Sequence, residues 1–209
     1  MTMEDNKLYT IIVHSENFSG ILNQIAAVFT RLQVNIESLN VSASSMKNVH
    51  KFTISCKTTA KNIDKILKQI NKKLDVINAS CYTDEDIFQS EIALFKISTD
   101  EFQNWEDTSR LLRGYNTHIV EVTPEYLVVE LSGSGDDIDS LYRELDRINC
   151  VRQFVRSGKI AVTASSLEKV NDLLGRRQKR YQERRMQFPA DGQSCSLVRY
   201  GDFITDNQK

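Results

Sequence analysis

The stretch LYTIIVHSENFSGILNQIAAVFTRL, residues 8–32, decides the fold. Its first seven residues are mostly β-branched or aromatic and predict a strand. The polar turn SENFSG follows, and apolar residues then recur at the 3.6-residue spacing of an amphipathic helix, with Ser19 as a candidate helix cap. These helical positions are Ile21, Leu22, Ile25, Val28, Phe29 and Leu32. One face of this helix must therefore pack on a sheet.

The sequence up to residue 83 completes a β-α-β-β-α-β unit. Residues 34–43 alternate and then change phase, which predicts a strand with a bulge near Ser38. A partner strand alternates Phe52, Ile54 and Cys56 with polar residues, so we expect the sheet to be covered on one side only. An amphipathic helix over 63–74 and a strand over 76–82 close the unit.

Residues 91–163 repeat this order. The predicted elements are a strand over 91–97, a helix from about 100 to 113 ended by Gly114, strands over 119–123 and 127–131, a helix over 136–148, and a strand over 151–162 broken at Ser157-Gly158. The fold class is therefore α+β, with two ferredoxin-like domains. We assign residues 1–83 to the first domain, 84–164 to the second and 165–209 to a helical, partly flexible tail.

The joint between the two domains is the polar, acidic stretch 83–90, which starts with Thr83-Asp84-Glu85-Asp86. In the tail, Ser165 and Glu168 have the spacing of a capping box, and the predicted helix runs into the basic segment RRQKRYQERR, residues 176–185. Periodicity is lost from Phe188 onward, which predicts a flexible end. A charge run on a helix is usually a solvated face, and contact with an acidic partner or nucleic acid is the alternative.

Composition limits the function classes. The 209 residues are 40% hydrophobic and 26% charged, with a formal net charge of -1, which argues against disorder and against a coat of Lys and Arg for nucleic acid. The sequence has no apolar run of the roughly 20 residues that a membrane helix needs, so we expect a soluble, cytoplasmic protein. Four cysteines and three histidines are scattered without CxxC spacing, which predicts reduced thiols and no metal site.

Enzymatic chemistry is hard to place on this sequence. The third strand, VHKFTISC, carries a single aromatic residue, Phe52, where an RNA-binding sheet needs several for base stacking. The SENFSG turn contains no Arg or Lys for the anion cradle of an acylphosphatase-like site. No nucleophile, acid-base pair or metal-ligand set is evident elsewhere, so an independent active site is not expected.

The SENFSG turn suits a small ligand better. Asn17 offers an amide, Gly20 allows close backbone approach, and the unpaired N–H groups of the following helix suit a carboxylate such as that of a free amino acid. The alternative is that Asn17, Ser19 and Gly20 only form a turn and cap. Asn35, at the start of the second strand, is expected at the same end of the sheet as a second amide, or is a turn residue.

Specific segments resemble a known family. YTIIVHSENFSGILNQIAAVFTRLQVNIESLNVS, HKFTI and ILKQINKKLDVI are similar to the amino-terminal ACT domain of the small, regulatory subunit of acetolactate synthase (acetohydroxyacid synthase). The NIESL segment with EN-x-x-G-x-L upstream is the most specific part. EIALFKI, VELSG and FVRSG resemble the carboxyl-terminal domain more loosely, and the resemblance covers roughly residues 7–164.

The resemblance implies a non-catalytic regulator. It implies a homodimer paired through its ACT domains that binds the large catalytic subunit, raises the activity of that subunit and transmits feedback inhibition by a branched-chain amino acid, with valine as the first choice. Thiamine diphosphate, Mg and FAD are implied only in the catalytic partner, and no metal, nucleic acid or membrane is implied here. The implied effector site comprises Asn17, Ser19, Gly20, Ile21 and Leu22, with Asn35 and Ile36 facing them across the subunit boundary.

The sequence departs from the family pattern at three positions. Ser19, Lys51 and Ser90 stand where the family often has Pro, Arg and Arg. Ser19 removes the fixed φ of proline, and Lys51 keeps a charge without the planar fork of arginine. Two other functions remain open: a stand-alone sensor with tandem ACT-like domains, and an RNA-associated protein that uses the basic helix at 176–185.

Overall fold

The computed structural model describes residues 6–99 and 105–164, together with Gly175. The beginning of the predicted helix near residue 100, the helix predicted from Ser165, the basic segment 176–185 and the flexible end lie outside the described residues. The described residues form two β-α-β-β-α-β units, each with helices packed on an antiparallel sheet, so the predicted α+β fold class is confirmed. No helix in this part of the chain is long and apolar enough to span a membrane.

The first unit has the predicted order of elements. They are β1 (Lys7–Glu16), α1 (Ile21–Arg31), β2 (Ile36–Ala43), β3 (Val49–Thr58), α2 (Ala60–Ile70) and β4 (Val76–Tyr82). The sheet order is β2-β3-β1-β4, which leaves β2 and β4 as edges. The ladder between β2 and β3 shifts register between Ile36 and Ser38, which confirms the predicted bulge. The helix α2 ends earlier than predicted, and Leu74 beyond it is 65% exposed.

The core of the first unit lies between its sheet and its two helices. Apolar side chains from β1, β3 and both helices are fully buried there: Ile11, Val13, Phe52, Ile54, Ile25, Val28, Phe29, Ile66 and Ile70. Cys56 belongs to the same core, and burial raises the pKa of its thiol to about 11. A thiol that stays protonated in an apolar core packs as a small hydrophobic group, as the sequence predicts for Cys56.

The second unit repeats the arrangement with a longer first strand. Its elements are β5 (Ile87–Ser98), α3 (Trp105–Gly114), β6 (His118–Val122), β7 (Tyr126–Gly133), α4 (Gly135–Arg147), β8 (Val151–Arg156) and β9 (Ile160–Thr163). The strand order is β6-β7-β5-β8, and β9 pairs with the first residues of β5. The predicted break at Ser157-Gly158 separates β8 from β9, and Gly158 adopts a φ of 76°.

The joint is shorter than predicted because β5 begins at Ile87, inside the stretch assigned to the linker. What remains is a turn in which the Asp86 amide donates to the Thr83 carbonyl at 3.0 Å. The Thr83 hydroxyl and amide also donate to the Asp86 carboxylate, and these hydrogen bonds lower its pKa below the usual range. The Asp86 carboxylate thus stabilises a defined turn at the joint.

The sheet of the first unit is covered on both faces, so the expectation of one covered side is wrong. Side chains that point away from the helices are buried on the two central strands: Thr10, Ile12, His14, Thr53 and Ser55. Ile12 packs with Ile87 of β5 and Ala161 of β9. The ribbon formed by β9 and the first part of β5 therefore lies against the first sheet and joins the two units.

Gly158 sits at this contact. A Cβ added at Gly158 would lie 3.2 Å from the Ser38 Cβ, and the φ of 76° disfavours any L side chain. We expect Gly158→Ala to lower the free energy of unfolding by about 1–2 kcal/mol. Urea unfolding measures the change, with Gly114→Ala as the control, because Gly114 has no positive φ and open space around its Cβ position. Equal stability of the two variants would contradict the contact.

Candidate functional site

The loop between β1 and α1 is fixed to the sheet by its backbone. The Glu16 amide donates to the Asp75 carbonyl and the Asn17 amide to the Asn48 carbonyl, both at 2.9 Å. The Ile21 amide, at the start of α1, donates to the Phe18 carbonyl at 3.3 Å. Asn17, Ser19 and Gly20 are exposed on this anchored loop. The loop therefore presents polar groups to solvent from a backbone that neighbouring strands hold in place.

The amino terminus of α1 has no side-chain cap, so the prediction that Ser19 caps it is wrong. Gly20 occupies the N-cap position with φ 89° and ψ -3°, a left-handed conformation from which no side chain returns to the helix amides. The other described helix starts differ: Thr59 accepts from the Asn62 amide on α2, and Ser134 accepts from the Asp137 amide on α4. The first turn of α1 thus keeps its donors available.

Those donors are the amides of Leu22 and Asn23. They hydrogen-bond to no group among the described residues, whereas the Gln24 amide already bonds to the Gly20 carbonyl at 3.1 Å. A Cβ placed on Gly20 would meet nothing within 4 Å, so the approach to the two amides is open. Two N–H groups at the positive end of a helix dipole form a site that favours a carboxylate.

The apolar residues at this site either anchor the helix in the core or lie exposed on the surface. Ile21 is buried in the core, where it holds the first turn of α1 against the sheet. Leu22 is 42% exposed and Phe18 57% exposed, so both present apolar surface beside the free amides. Leu22 is among the residues expected at this site from the sequence, and Phe18 is not. The sequence does contain a signal for Phe18, because it is an aromatic residue inside a polar turn. A short turn has no core in which to bury an aromatic side chain, so Phe18 is expected at the surface.

Asn35 and Ile36 lie at the opposite end of the sheet, so the expectation that Asn35 shares an end with the loop is wrong within one chain. Ile36 pairs with Cys56, and Cys56 pairs with Tyr9 near the start of β1. The loop instead follows the end of β1 at Glu16. At about 3.3 Å per residue, the two places are roughly 20 Å apart along β1. A single protomer therefore cannot combine them into one site.

Other chemistry is not evident in the described part of the chain. Residues 6–99 and 105–164 contain no group of three or more His, Cys, Asp or Glu side chains placed to hold a metal ion. Burial raises the pKa of Cys81 to about 11, as it does for Cys56, so neither cysteine is an activated nucleophile. The loop before α1 remains the strongest candidate site.

Comparison with known proteins identifies the family. Residues 11–78 match the model of the AHAS small subunit-like ACT domain, and residues 90–165 match the model of the small subunit of acetolactate synthase. The acetolactate synthase small subunit of Mycobacterium bovis is 30% identical over 157 residues, which cover 75% of this chain and 92% of that protein. This chain belongs to the acetolactate synthase small-subunit family.

Further relatives agree with this membership. The acetolactate synthase small subunit of Buchnera aphidicola is 30% identical over 149 residues, covering 70% of this chain and 92% of the relative. The crystal structure of the acetolactate synthase small subunit from Thermotoga maritima has a TM-score of 0.70 at 23% identity, covering 77% of this chain and 99% of that one. This small subunit therefore has the fold of that protein, and its residues beyond 165 lie outside both family matches.

Proposed function

We propose that this small subunit activates a thiamine-diphosphate-dependent catalytic subunit and makes it sensitive to feedback inhibition by a branched-chain amino acid, with valine as the first effector. The observation that carries the proposal is the uncapped start of α1 behind Gly20. An amino acid needs a carboxylate site, and the Leu22 and Asn23 amides supply one. Thiamine diphosphate, Mg and FAD belong in this scheme to the catalytic subunit alone.

The remaining parts of an amino acid also find partners in the proposed site. The Asn17 side-chain oxygen and the corresponding oxygen of Asn35 can accept hydrogen bonds from the ammonium group. Leu22 provides apolar surface for a branched side chain, and Ile36 is a second apolar contact. In this scheme Ser19 and Gly20 shape the backbone that surrounds the carboxylate, and Ile21 anchors it from within the core.

A homodimer brings Asn35 and Ile36 into this site. The strand β2 is an edge of the first sheet, with exposed side chains at its end, and its outer hydrogen-bonding groups are available to a second copy. Antiparallel pairing of two β2 edges about a twofold axis places the start of β2 from one protomer beside the end of β2 from the other. The loop before α1 begins at the same end of the sheet as the end of β2. Ala43 at the end of β2 pairs with His50 of β3, and His50 pairs with Ser15 near the end of β1.

Such a site can regulate a partner without breaking any bond. An effector held by two protomers binds only the paired arrangement, so it favours the quaternary state in which that arrangement exists. A coupling of about 1–3 kcal/mol is typical and changes a population ratio by about 5- to 150-fold. The catalytic subunit then experiences the effector through the state of the small-subunit dimer.

Reconstitution with the catalytic subunit tests the function. We expect the small subunit alone to form no acetolactate, because in this scheme the cofactors and the acid-base groups belong to the catalytic subunit. Addition of the small subunit should raise the turnover of the catalytic subunit, and valine should reverse the increase more effectively than leucine or isoleucine. Acetolactate formation by the small subunit alone would exclude the proposal. Effector binding without any influence on the catalytic subunit would indicate a stand-alone sensor instead.

A further inference from the structure

The second unit carries an apolar face that is distinct from the effector site. Even-numbered residues of β5 share one side of the strand, and their cross-strand partners Val155, Ile160 and Val162 extend that side onto β8 and β9. We call this surface the β5 apolar face, and it consists of Phe88, Ile92, Leu94, Val155, Ile160 and Val162. The register makes it continuous, because Phe88 lies opposite Val162 and Leu94 opposite Val155.

The large apolar side chains of this face are more exposed than is usual for a surface that contacts only solvent. Phe88 is 71% exposed, Val155 62% and Val162 59%, although most of the opposite side of β5 is buried. Isolated exposed apolar residues are ordinary, but a contiguous group of large ones marks a surface that binds something. The face ends at polar positions, since Lys96 and its partner Gln153 follow Leu94 and Val155. The face is therefore a strip that runs along β5 and includes the neighbouring residues of β8 and β9.

We propose that residues 165–175 of the same chain form a helix that docks on the β5 apolar face. The chain leaves β9 at Thr163, which pairs with Ile87, so the segment begins beside one end of the strip. Its apolar residues recur at helical spacing, and Ser165 with Glu168 provides the start signal. They are Leu167, Val170, Leu173 and Leu174.

The dimensions of helix and strip agree. A helix over 165–175 is about 16 Å long at 1.5 Å per residue. The strip from Phe88 to Leu94 is about 20 Å long at 3.3 Å per residue. A reversal after β9 directs the helix along β5 from Phe88 toward Leu94, so its apolar side can follow the strip over nearly its whole length.

Covalent attachment favours this occupant over a second copy. A segment that starts next to its own binding surface has an effective concentration in the millimolar range, which a separate chain does not reach in dilute solution. The segment also lies beyond residue 165, where the family matches end, so the proposal concerns a part of this chain that those matches do not describe. It requires neither the effector site nor the catalytic subunit.

Photo-crosslinking in the full-length chain tests the docking. A benzophenone amino acid in place of Phe88 keeps an aromatic side chain at the end of the strip where residues 165–175 begin. We expect its main crosslink to lie within residues 165–176 of the same chain, as determined by peptide mass spectrometry. A mixture of ¹⁵N-labelled and unlabelled chains distinguishes crosslinks within a chain from those between chains. The same probe at Leu74, which is also exposed but lies on the first unit, is the control and should not capture this segment.

Two truncations give an independent measurement. Removal of 186–209 keeps the proposed helix and should leave the binding of an apolar dye unchanged, whereas removal of 165–209 should increase it several-fold. Crosslinks from position 88 to another chain would show that a second copy covers the face and would overturn the proposal. It would be overturned equally by crosslinks that avoid residues 165–176, or by equal dye binding of the two truncated chains.

Discussion

Gly20→Asp should weaken effector inhibition of the reconstituted synthase strongly, if the effector carboxylate binds at the start of α1. The new carboxylate would stand beside the Leu22 and Asn23 amides, where it competes with the effector for the same donors and repels it. We expect a loss of about 2–4 kcal/mol in binding, which corresponds to about 30- to 1,000-fold in affinity. The measurement is synthase activity against valine concentration for wild-type and variant small subunits.

The backbone of Gly20 adds a cost that the sequence could not reveal. Aspartate is favourable at an ordinary helix start, but Gly20 has φ 89°, a region that L residues rarely adopt. Folding of the first unit is therefore expected to lose about 1–2 kcal/mol when Gly20 is replaced, with Asn and Asp at the lower end of this range. Activation of the catalytic subunit should survive this loss, because the core residues of the unit are unchanged.

Gly20→Asn is the matched control, since it has the size and left-handed tolerance of aspartate without the charge. Inhibition should be much less affected by Gly20→Asn than by Gly20→Asp at equal stability. Equal losses in the two variants would assign the effect to backbone strain. Wild-type inhibition by a folded Gly20→Asp variant would show that the effector binds elsewhere, whatever the role of the small subunit.

The order of elements could be predicted because each helix and strand must bury one side. The 3.6-residue pattern after SENFSG and the phase change near Ser38 are direct consequences of that burial, and both correspond to observed elements. The second unit could also be predicted from the sequence, because its helices and strands pack in the same order and show the same periodicities of apolar residues. Local patterns therefore determine most of this fold.

What local patterns could not show is the contact between the units and the details of the site. The burial of Ile12 on the outer face of the first sheet involves Ile87 and Ala161, which lie far away in sequence. Ser19 has the spacing of a cap, but the φ of Gly20 directs the chain so that no side chain can serve as one. The position of Asn35 could have been derived from chain direction, because a strand that follows a single helix starts at the opposite end of the sheet from the loop before that helix.

Arg156→Met should have the largest effect on stability. The Arg156 Nε donates to the Glu91 Oε2 at 2.8 Å, and the Glu91 side chain is only 6% exposed. Loss of the guanidinium would leave the buried Glu91 carboxylate without its charged partner, which costs about 2–3 kcal/mol in free energy of unfolding, because only the Glu91 side of this ion pair is buried. Arg156 also ends β8 immediately before the break that carries Gly158, so the contact with Ser38 of the first unit should loosen as well.

Two further variants distinguish the cost of an unpaired buried charge from the attraction within an exposed ion pair. Urea unfolding measures the stability of each variant. Arg156 also contacts Asp139 at 3.0 Å, but that side chain is 56% exposed, so Asp139→Asn should cost about 0–1 kcal/mol. The double variant Glu91→Leu with Arg156→Met removes the whole ion pair, including the buried Glu91 carboxylate, and we expect it to recover most of the stability that Arg156→Met loses. If the double variant is as unstable as Arg156→Met, the damage comes from lost packing of the arginine stem rather than from an unpaired charge. A small effect of Arg156→Met, comparable with that of Asp139→Asn, would mean that water reaches Glu91 and that the ion pair does not hold β8 to β5.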